Sequence, residues 1–177
     1  LAAAKAELQT ARQLENELTR KLDAHDAGFT ANSEALARSP VPVAAAITGH
    51  SPAGGAVLTL YCDYRIMADG PYRIGLNETQ VGLVVPDVIQ AAMRRLLGAH
   101  RAERLMVAGA MIESSEAHRI GLVDELIDAE HVVERAIAWL RDLLRLAPHA
   151  MSETRRIARA DLRALFDTQY QASREHV

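Results

Sequence analysis

The chain has 177 residues, one cysteine and a formal net charge of −3, and only 4% of its residues are aromatic. This length supports one domain whose core is built from aliphatic side chains. The small negative charge offers no general attraction for nucleic acid. A single cysteine excludes an intrachain disulfide or a multi-cysteine metal site and fits a reducing compartment. Because we find no signal peptide and no apolar run of 18 residues, we expect a soluble, cytoplasmic protein that does not bind membranes.

The first part of the chain predicts two helices followed by short strands. Residues 1–27 carry good helix formers with one apolar stripe, and a second helix at about 30–38 should end at Pro40. A buried helix is predicted at 56–62. Short apolar segments bounded by prolines, glycines or turns predict strands, the first of them buried: 43–48, 64–68 and 72–74.

The second part of the chain predicts mostly helices. Asp87 is expected to cap a helix that ends at Gly98, with Gln90 as its capping-box partner. One more strand is predicted at 122–127, and further helices are predicted at 100–107, 115–120, 130–145 and 152–169. This order of elements indicates an α/β fold, which we divide into a core of residues 1–128 and a helical region of residues 129–177.

Several side chains able to bind ligands are better explained by structural roles. His50 is expected to be structural, and Cys62, in an apolar run, to be an inert core thiol. No cluster has metal-ligand spacing, and no nucleotide-binding glycine motif is present. Two groups of arginines are expected on solvated helix faces: Arg94, Arg95, Arg101 and Arg104, and Arg155, Arg156, Arg159 and Arg163.

The first motif with chemical potential is the loop Ser51-Pro52-Ala53-Gly54-Gly55, between a predicted strand and a predicted helix. Consecutive glycines let the backbone approach a ligand closely. Their N–H groups, at the start of a helix, could bind an anion or a developing oxyanion. The alternative is that the glycines only allow close packing of the loop against the helix.

The second motif is the polar island Asn77-Glu78-Thr79-Gln80 within an apolar stretch. A carboxylate in such surroundings tends to have its pKa raised by desolvation, which suits a general acid or base near neutral pH. The alternative roles of Glu78 are to cap a helix or to pair with an arginine.

Taken together, these segments resemble the crotonase (enoyl-CoA hydratase/isomerase) superfamily over about residues 35–145. Five segments follow its pattern in order and spacing: 42–49, 53–55, 62–66, 74–78 and 121–124. Within the superfamily, residues 64–69 and 74–80 look closest to the Δ3,Δ2-enoyl-CoA isomerases of fatty-acid oxidation. The resemblance implies a spiral of ββα turns, here partial, with a C-terminal helical region that forms a homotrimer or homohexamer.

The resemblance also implies roles for individual residues. Gly54 falls where crotonases place one backbone donor of the oxyanion hole, and Glu78 where the isomerases keep their base. Val57 falls where hydratases carry a second catalytic glutamate, which favours isomerisation. Acyl-CoA is the implied substrate, with CoA as its handle and no separate cofactor or metal. The implied substrate-binding residues are Ala53, Gly55, Val57, Asn77 and Pro86.

Two alternatives stay open beside an isomerase. One is enoyl-CoA hydration or another crotonase-type reaction, which would need a further acid or base. The other is a non-catalytic module for acyl-CoA binding or oligomerisation. It is favoured because the strands and second oxyanion donor of the family's N-terminal half are not recognisable. The sequence begins at Leu1 rather than Met, so either it is incomplete or the protein is a shortened homologue.

Overall fold

The computed structural model describes residues 28–174, with side chains described for residues 28–167. The chain forms two compact units, Leu1–Asn32 and Ser33–Val177. A helix, α1, covers residues 28–38 and stops before Pro40, which confirms the predicted helix there. The helix predicted at 1–27 lies outside the described residues.

The larger sheet is parallel and has the strand order β1-β3-β6. β1 is Ala44–Ile47, β3 is Tyr64–Ala68 and β6 is Glu125–Ile127, so the last strand is shorter than predicted. Among the described residues β1 is an edge strand, and Ala46 in its middle is exposed. The prediction of a buried first strand is therefore wrong for most of its length, because β3 covers only one of its edges.

The smaller sheet has the order β2-β4-β5, with β2 Ser51–Pro52, β4 Arg73–Gly75 and β5 Ile112–Glu113. β2 and β4 are parallel, whereas β4 and β5 are antiparallel. The predicted strands on either side of the turn 69–71 thus belong to different sheets.

Helices fill most of the remaining described chain. The α-helices are α2 Gly54–Leu60, α3 Asp87–Leu97, α4 Ala99–Val107, α5 Ser114–Arg119, α6 Val132–Leu143, α7 Pro148–Ala158 and α8 Ala160–Arg174. Single 3-10 turns lie at Glu78–Val81 and Ala129–His131. The helix predicted at 152–169 is in fact two helices that meet at Arg159, and Pro148 begins the first of them. Pro fits the first turn because its missing N–H has no helical acceptor there.

The predicted capping box of α3 is wrong. Pro86 occupies the N-cap position and no side chain caps the helix. Gln90 instead donates its side-chain N–H to the carbonyl of Val85, at 2.8 Å. The predicted end is correct, since Gly98 follows the last turn with φ of 77°.

β3 separates two cores because its side chains alternate between its faces. Ile66 and Ala68 pack with Val132 and Ala136 of α6, whereas Met67 joins the main cluster. That cluster also contains Leu162 and Phe166 of α8. The division of the chain at residue 128 stays a prediction.

The apolar side chains of α6, and of Leu144 directly after it, are only partly buried inside the described chain. Ala136 is buried, but Val133 is 52% exposed, Ile137 43% and Leu144 67%. Trp139, on another side of the helix, stacks on Tyr64 with 4.7 Å between ring centroids.

A buried ionic cluster joins α7 and α8 to the residues around α2. The Asp63 carboxylate accepts hydrogen bonds from Arg155 at 2.8 and 2.9 Å and from Arg159 at 3.0 Å. Arg155 also donates to the carbonyl of Ser39, and Arg159 to that of Tyr61. The prediction of a solvated face is therefore wrong for these two arginines, whereas Arg156 is exposed as expected.

In the part of the chain that the structure describes, no helix combines the length and apolar character needed to cross a membrane.

Candidate active site

The pairing of β2 with β4 brings the glycine loop to the polar island. The strands are parallel, with Ser51 opposite Ile74 and Pro52 opposite Gly75. The Pro52–Gly75 pair is held by the N–H of Ala53, which donates to the carbonyl of Gly75 at 2.9 Å. Segments that follow parallel strands leave from the same edge of the sheet. The two motifs singled out in the sequence therefore meet at this edge.

Ala53 starts the glycine loop in an unusual backbone conformation, with φ of 44° and ψ of −116°. It is the one non-glycine residue with positive φ within residues 28–174. Such backbone strain, on the order of 1–3 kcal/mol, is typical of binding and catalytic loops. No local pattern predicts this conformation, because an alanine does not indicate a residue with positive φ.

Gly54 and Gly55 are the first residues of α2, so their N–H groups have no acceptor inside the helix. No side chain caps this end. A Cβ on Gly55 would lie 2.9 Å from the hydroxyl oxygen of Ser51, which gives Gly55 a packing role. The oxyanion role of Gly54 stays a prediction.

Glu78 opens the 3-10 turn and is half-buried. Burial raises the pKa of its carboxyl group, and a hydrogen bond from its own backbone opposes this. Its Oε2 atom is buried and has no hydrogen-bond partner. Neither an arginine partner nor a capping bond is found for Glu78 among the described residues. A carboxylate left in this state is available to accept a proton.

Asn77 precedes Glu78 and shares its environment. The side-chain oxygen Oδ1 of Asn77 is also buried without a partner. Buried acceptors are normally paired, so two adjacent unpaired oxygens mark a place where a bound molecule could supply donors.

Val57 is 2% exposed and lies in the main core, so position 57 presents no acid or base to the loop. Pro86 is half-buried and its carbonyl accepts the N–H groups of Ile89 and Gln90 at the start of α3. This is a local role, and the substrate-binding role of Pro86 stays a prediction.

Two grooves flank the site. One, of about 180 Å³, lies beside the 3-10 turn and is lined by Thr79, Leu83, Val84 and Met106, among others. The other, of about 520 Å³, runs along β1 and α2 and includes Gly49, His50 and Gly55. Each has an apolar part beside a candidate site residue, which suits a ligand with an acyl chain.

The structural roles expected for His50 and Cys62 are both found. His50 accepts the backbone N–H of Arg73 through Nδ1, at 3.1 Å. Burial raises the pKa of the Cys62 thiol to about 11, so it is poorly nucleophilic at neutral pH. Within the described part of the chain, no group of three or more His, Cys, Asp or Glu residues could hold a metal ion.

The chain is similar in sequence to known enoyl-CoA enzymes. The chain is 36% identical over 125 residues to human mitochondrial enoyl-CoA delta isomerase 1, covering 70% of this chain and 41% of that protein. It is 34% identical over 134 residues to a probable enoyl-CoA hydratase, echA17, of Mycobacterium avium, covering 76% and 50%. The chain thus spans about half the length of the curated relatives it matches.

The fold has solved counterparts. The crystal structure of human mitochondrial delta3-delta2-enoyl-CoA isomerase matches with a TM-score of 0.74 at 34% identity, over 79% of this chain and 55% of that one. The resemblance to the crotonase fold is therefore confirmed, as a partial spiral. The sequence model of enoyl-CoA hydratase/isomerase matches residues 5–176, and the chain belongs to that family.

Proposed function

We propose that this protein isomerises 3-enoyl-CoA to 2-enoyl-CoA in fatty-acid oxidation, with Glu78 as the only base. The observation that carries the proposal is the half-buried Glu78 carboxylate, with its unpaired Oε2 and raised pKa. Its segment follows β4, which pairs with the strand β2 that leads into the glycine loop. A raised pKa brings a carboxylate closer to the working range of a general base.

In the proposed reaction the thioester oxygen accepts the N–H of Gly54. Glu78 removes a proton from C2, and the resulting enolate is stabilised at the same oxygen. The double bond moves as the protonated Glu78 returns the proton to C4. One proton is moved and no electrons are gained or lost, so CoA is needed only as part of the substrate.

Hydration is the second candidate, and the similarity to a probable enoyl-CoA hydratase favours it. Adding water requires a water molecule to be held and activated, for which hydratases use two carboxylates. Because position 57 holds a buried valine, a second acid or base would have to come from elsewhere. This difference makes isomerisation the better supported reaction. A non-catalytic acyl-CoA-binding module is the third candidate, and the short span of the chain relative to its relatives favours it.

The test is to supply the purified protein with 3-enoyl-CoA and, separately, with 2-enoyl-CoA and water. We expect isomerisation with little hydration. Glu78→Gln, which keeps the shape of the side chain but cannot accept a proton, should lower the isomerisation rate by at least about 10²-fold. Hydration as fast as isomerisation would contradict the reaction assigned, and a fully active Glu78→Gln variant would contradict the base. Acyl-CoA binding without turnover would support the non-catalytic module.

We also propose that the protein forms a homotrimer or homohexamer and that it is cytoplasmic. The exposed apolar side chains of Val133 and Ile137 on α6, and of Leu144 directly after it, support the oligomer, since apolar surface commonly marks a contact between proteins.

A further inference from the structure

The turn that carries Glu78 is too short to hold its own shape. It consists of four residues, Glu78–Val81, in 3-10 geometry. The backbone bonds at its ends run from Gln80 N–H to the Asn77 carbonyl, from Gly82 N–H to the Thr79 carbonyl and from Leu83 N–H to the Glu78 carbonyl, at 3.1, 3.3 and 3.0 Å. A single helical turn is unstable alone because few hydrogen bonds offset the entropy of ordering it. Contacts from outside must fix the direction of the Glu78 side chain.

Those contacts come from the C-terminal end of α4. The hydroxyl of Thr79 donates to the carbonyl of Met106 at 3.2 Å. The side-chain amide of Gln80 donates to the carbonyl of Gly109 at 2.8 Å. Carbonyls at the end of a helix have spare acceptor capacity, and that of Met106 accepts the Thr79 hydroxyl in addition to the N–H of Gly109.

The backbone at Gly109 is shaped to allow this approach. Its φ is 58°, and a Cβ there would lie 2.6 Å from the Thr79 hydroxyl oxygen and 2.8 Å from Cγ of Gln80. The next residue, Ala110, contacts the chain before Glu78: a Cβ on Gly75 would overlap the Ala110 carbonyl oxygen. The loop after α4 therefore contacts the chain both before and after Glu78.

We propose that Thr79 and Gln80 are positioning residues, which aim the Glu78 carboxylate through their bonds to the Met106 and Gly109 carbonyls. The proposal rests on Glu78 being the base. Both side chains sit on the base's own turn, so any movement of either anchor moves the carboxylate. The charged side chains in the groove beside Thr79, among the described residues, are Arg94 and Glu103.

The test compares Thr79→Val with Thr79→Ser, and adds Gln80→Met and the double variant Thr79→Val/Gln80→Met. Valine keeps the shape of threonine without the hydroxyl, and serine keeps the hydroxyl. We expect kcat to fall by roughly 10- to 100-fold with KM changed by less than about twofold, since small misplacements of a catalytic group cost rate rather than binding. Thr79→Ser should retain most of the wild-type kcat.

The matched control is Ser114→Ala. Ser114 donates its hydroxyl to the carbonyl of Gly70 at 2.9 Å, a bond of the same kind as that of Thr79 but away from the base. This variant should lower the melting temperature while kcat stays at the wild-type level. Equal losses of kcat in the control and in Thr79→Val, or losses that only follow melting, would overturn the proposal.

A second measurement separates this proposal from the proposed function. Carbon-13 NMR of labelled glutamate side chains, with Glu78→Gln identifying the signal, follows the titration of Glu78 directly. In the double variant we expect the titration to shift to lower pH, as water reaches a loosened carboxylate. If the wild type does not isomerise 3-enoyl-CoA but the titration shifts in the double variant, the proposed function is contradicted. The proposal that Thr79 and Gln80 position Glu78 is then still supported. An unchanged titration in the folded double variant would overturn the anchoring.

Discussion

At the scale of single residues, Glu78 couples protonation to stability. Burial raises the pKa of this carboxyl in the folded protein, so the folded state binds the proton more tightly than the unfolded state. The stabilising effect of that proton is present in acid and is lost as pH rises through the folded pKa. The ionised carboxylate of Glu78 therefore lowers the free energy of unfolding at neutral pH.

The Glu78→Gln variant should therefore be more stable than the wild type at neutral pH. Glutamine carries no charge to desolvate, so the difference in melting temperature should shrink as the pH is lowered below the pKa of Glu78. Melting curves measured across acid and neutral pH check this. A difference that grows toward acid would mean that the ionised carboxylate is stabilised in the fold.

Gly54→Ala tests the other half of the site. In the proposed reaction, the N–H of Gly54 donates to the thioester oxygen. A methyl group on Gly54 should tilt or crowd this N–H, which is proposed to stabilise the enolate more than the bound substrate. We expect a fall in kcat corresponding to about 2–4 kcal/mol of barrier. Gly28→Ala is the control, because a Cβ at Gly28 meets no atom within 4 Å and Gly28 lines neither groove. Loss of kcat in step with loss of folded protein would instead support the packing role.

The candidate site residues could be predicted from the sequence, but their backbone strain and unpaired atoms could not. The polar island around Glu78 and the glycine pair stood out because each interrupts an apolar pattern. The strain at Ala53 and the unpaired oxygen of Glu78 depend on neighbours that are distant in sequence. Local sequence patterns carry no information about such neighbours. The same holds for the anchoring of Thr79 and Gln80 on a helix about 30 residues away.

At the scale of elements, Gly75 decides how closely β4 approaches the loop after α4. A Cβ at this position would overlap the Ala110 carbonyl oxygen, which belongs to backbone and cannot swing aside. We expect Gly75→Ala to destabilise the protein by about 1–3 kcal/mol, the usual cost of overpacking.

Denaturant unfolding measures that loss, with Gly28→Ala again as the control. A Gly75→Ala variant as stable as this control would mean that the loop moves without cost. A fall in activity is also expected, because β4 leads directly into the segment that carries Glu78.

The kind and order of the elements followed from periodicity and from glycine and proline positions, as at α1 and at the end of α3. Two local interpretations were wrong for physical reasons. Asp87 resembles a cap, yet the chain enters α3 from extended Pro86, whose carbonyl already accepts the first helical N–H groups. The break at Arg159 carries no glycine or proline signal, and it turns this arginine toward Asp63.

At the scale of the whole molecule, Asp63 links segments that are far apart in sequence. Its partners Arg155 and Arg159 are 92 and 96 residues away, and the three side chains are 7 to 14% exposed. Burial lowers the pKa of Arg159, and Asp63 opposes that shift. No sequence pattern indicates such a pairing, which is why a solvated arginine face was predicted there.

Asp63→Asn should cost about 3–5 kcal/mol, because removing one partner leaves buried charges uncompensated. Thermal melting checks this, and the loss should persist at high salt since buried pairs are screened little. The control is Glu116→Gln, which removes an exposed pair with Arg119 and should leave the melting temperature almost unchanged. Similar effects of both variants would show that the Asp63 cluster is accessible to water.

Cys62 lies next to Asp63 in sequence. Because its thiol is buried, its reaction with a thiol reagent reports local unfolding of the protein. Cys62 is the only cysteine, is 8% exposed, and reacts slowly while the fold is closed because its thiolate is scarce. A thiol reagent added to native protein therefore labels the fraction of molecules in which the region around α2 has opened. The labelling rate in plain buffer measures how often this region opens, with no denaturant.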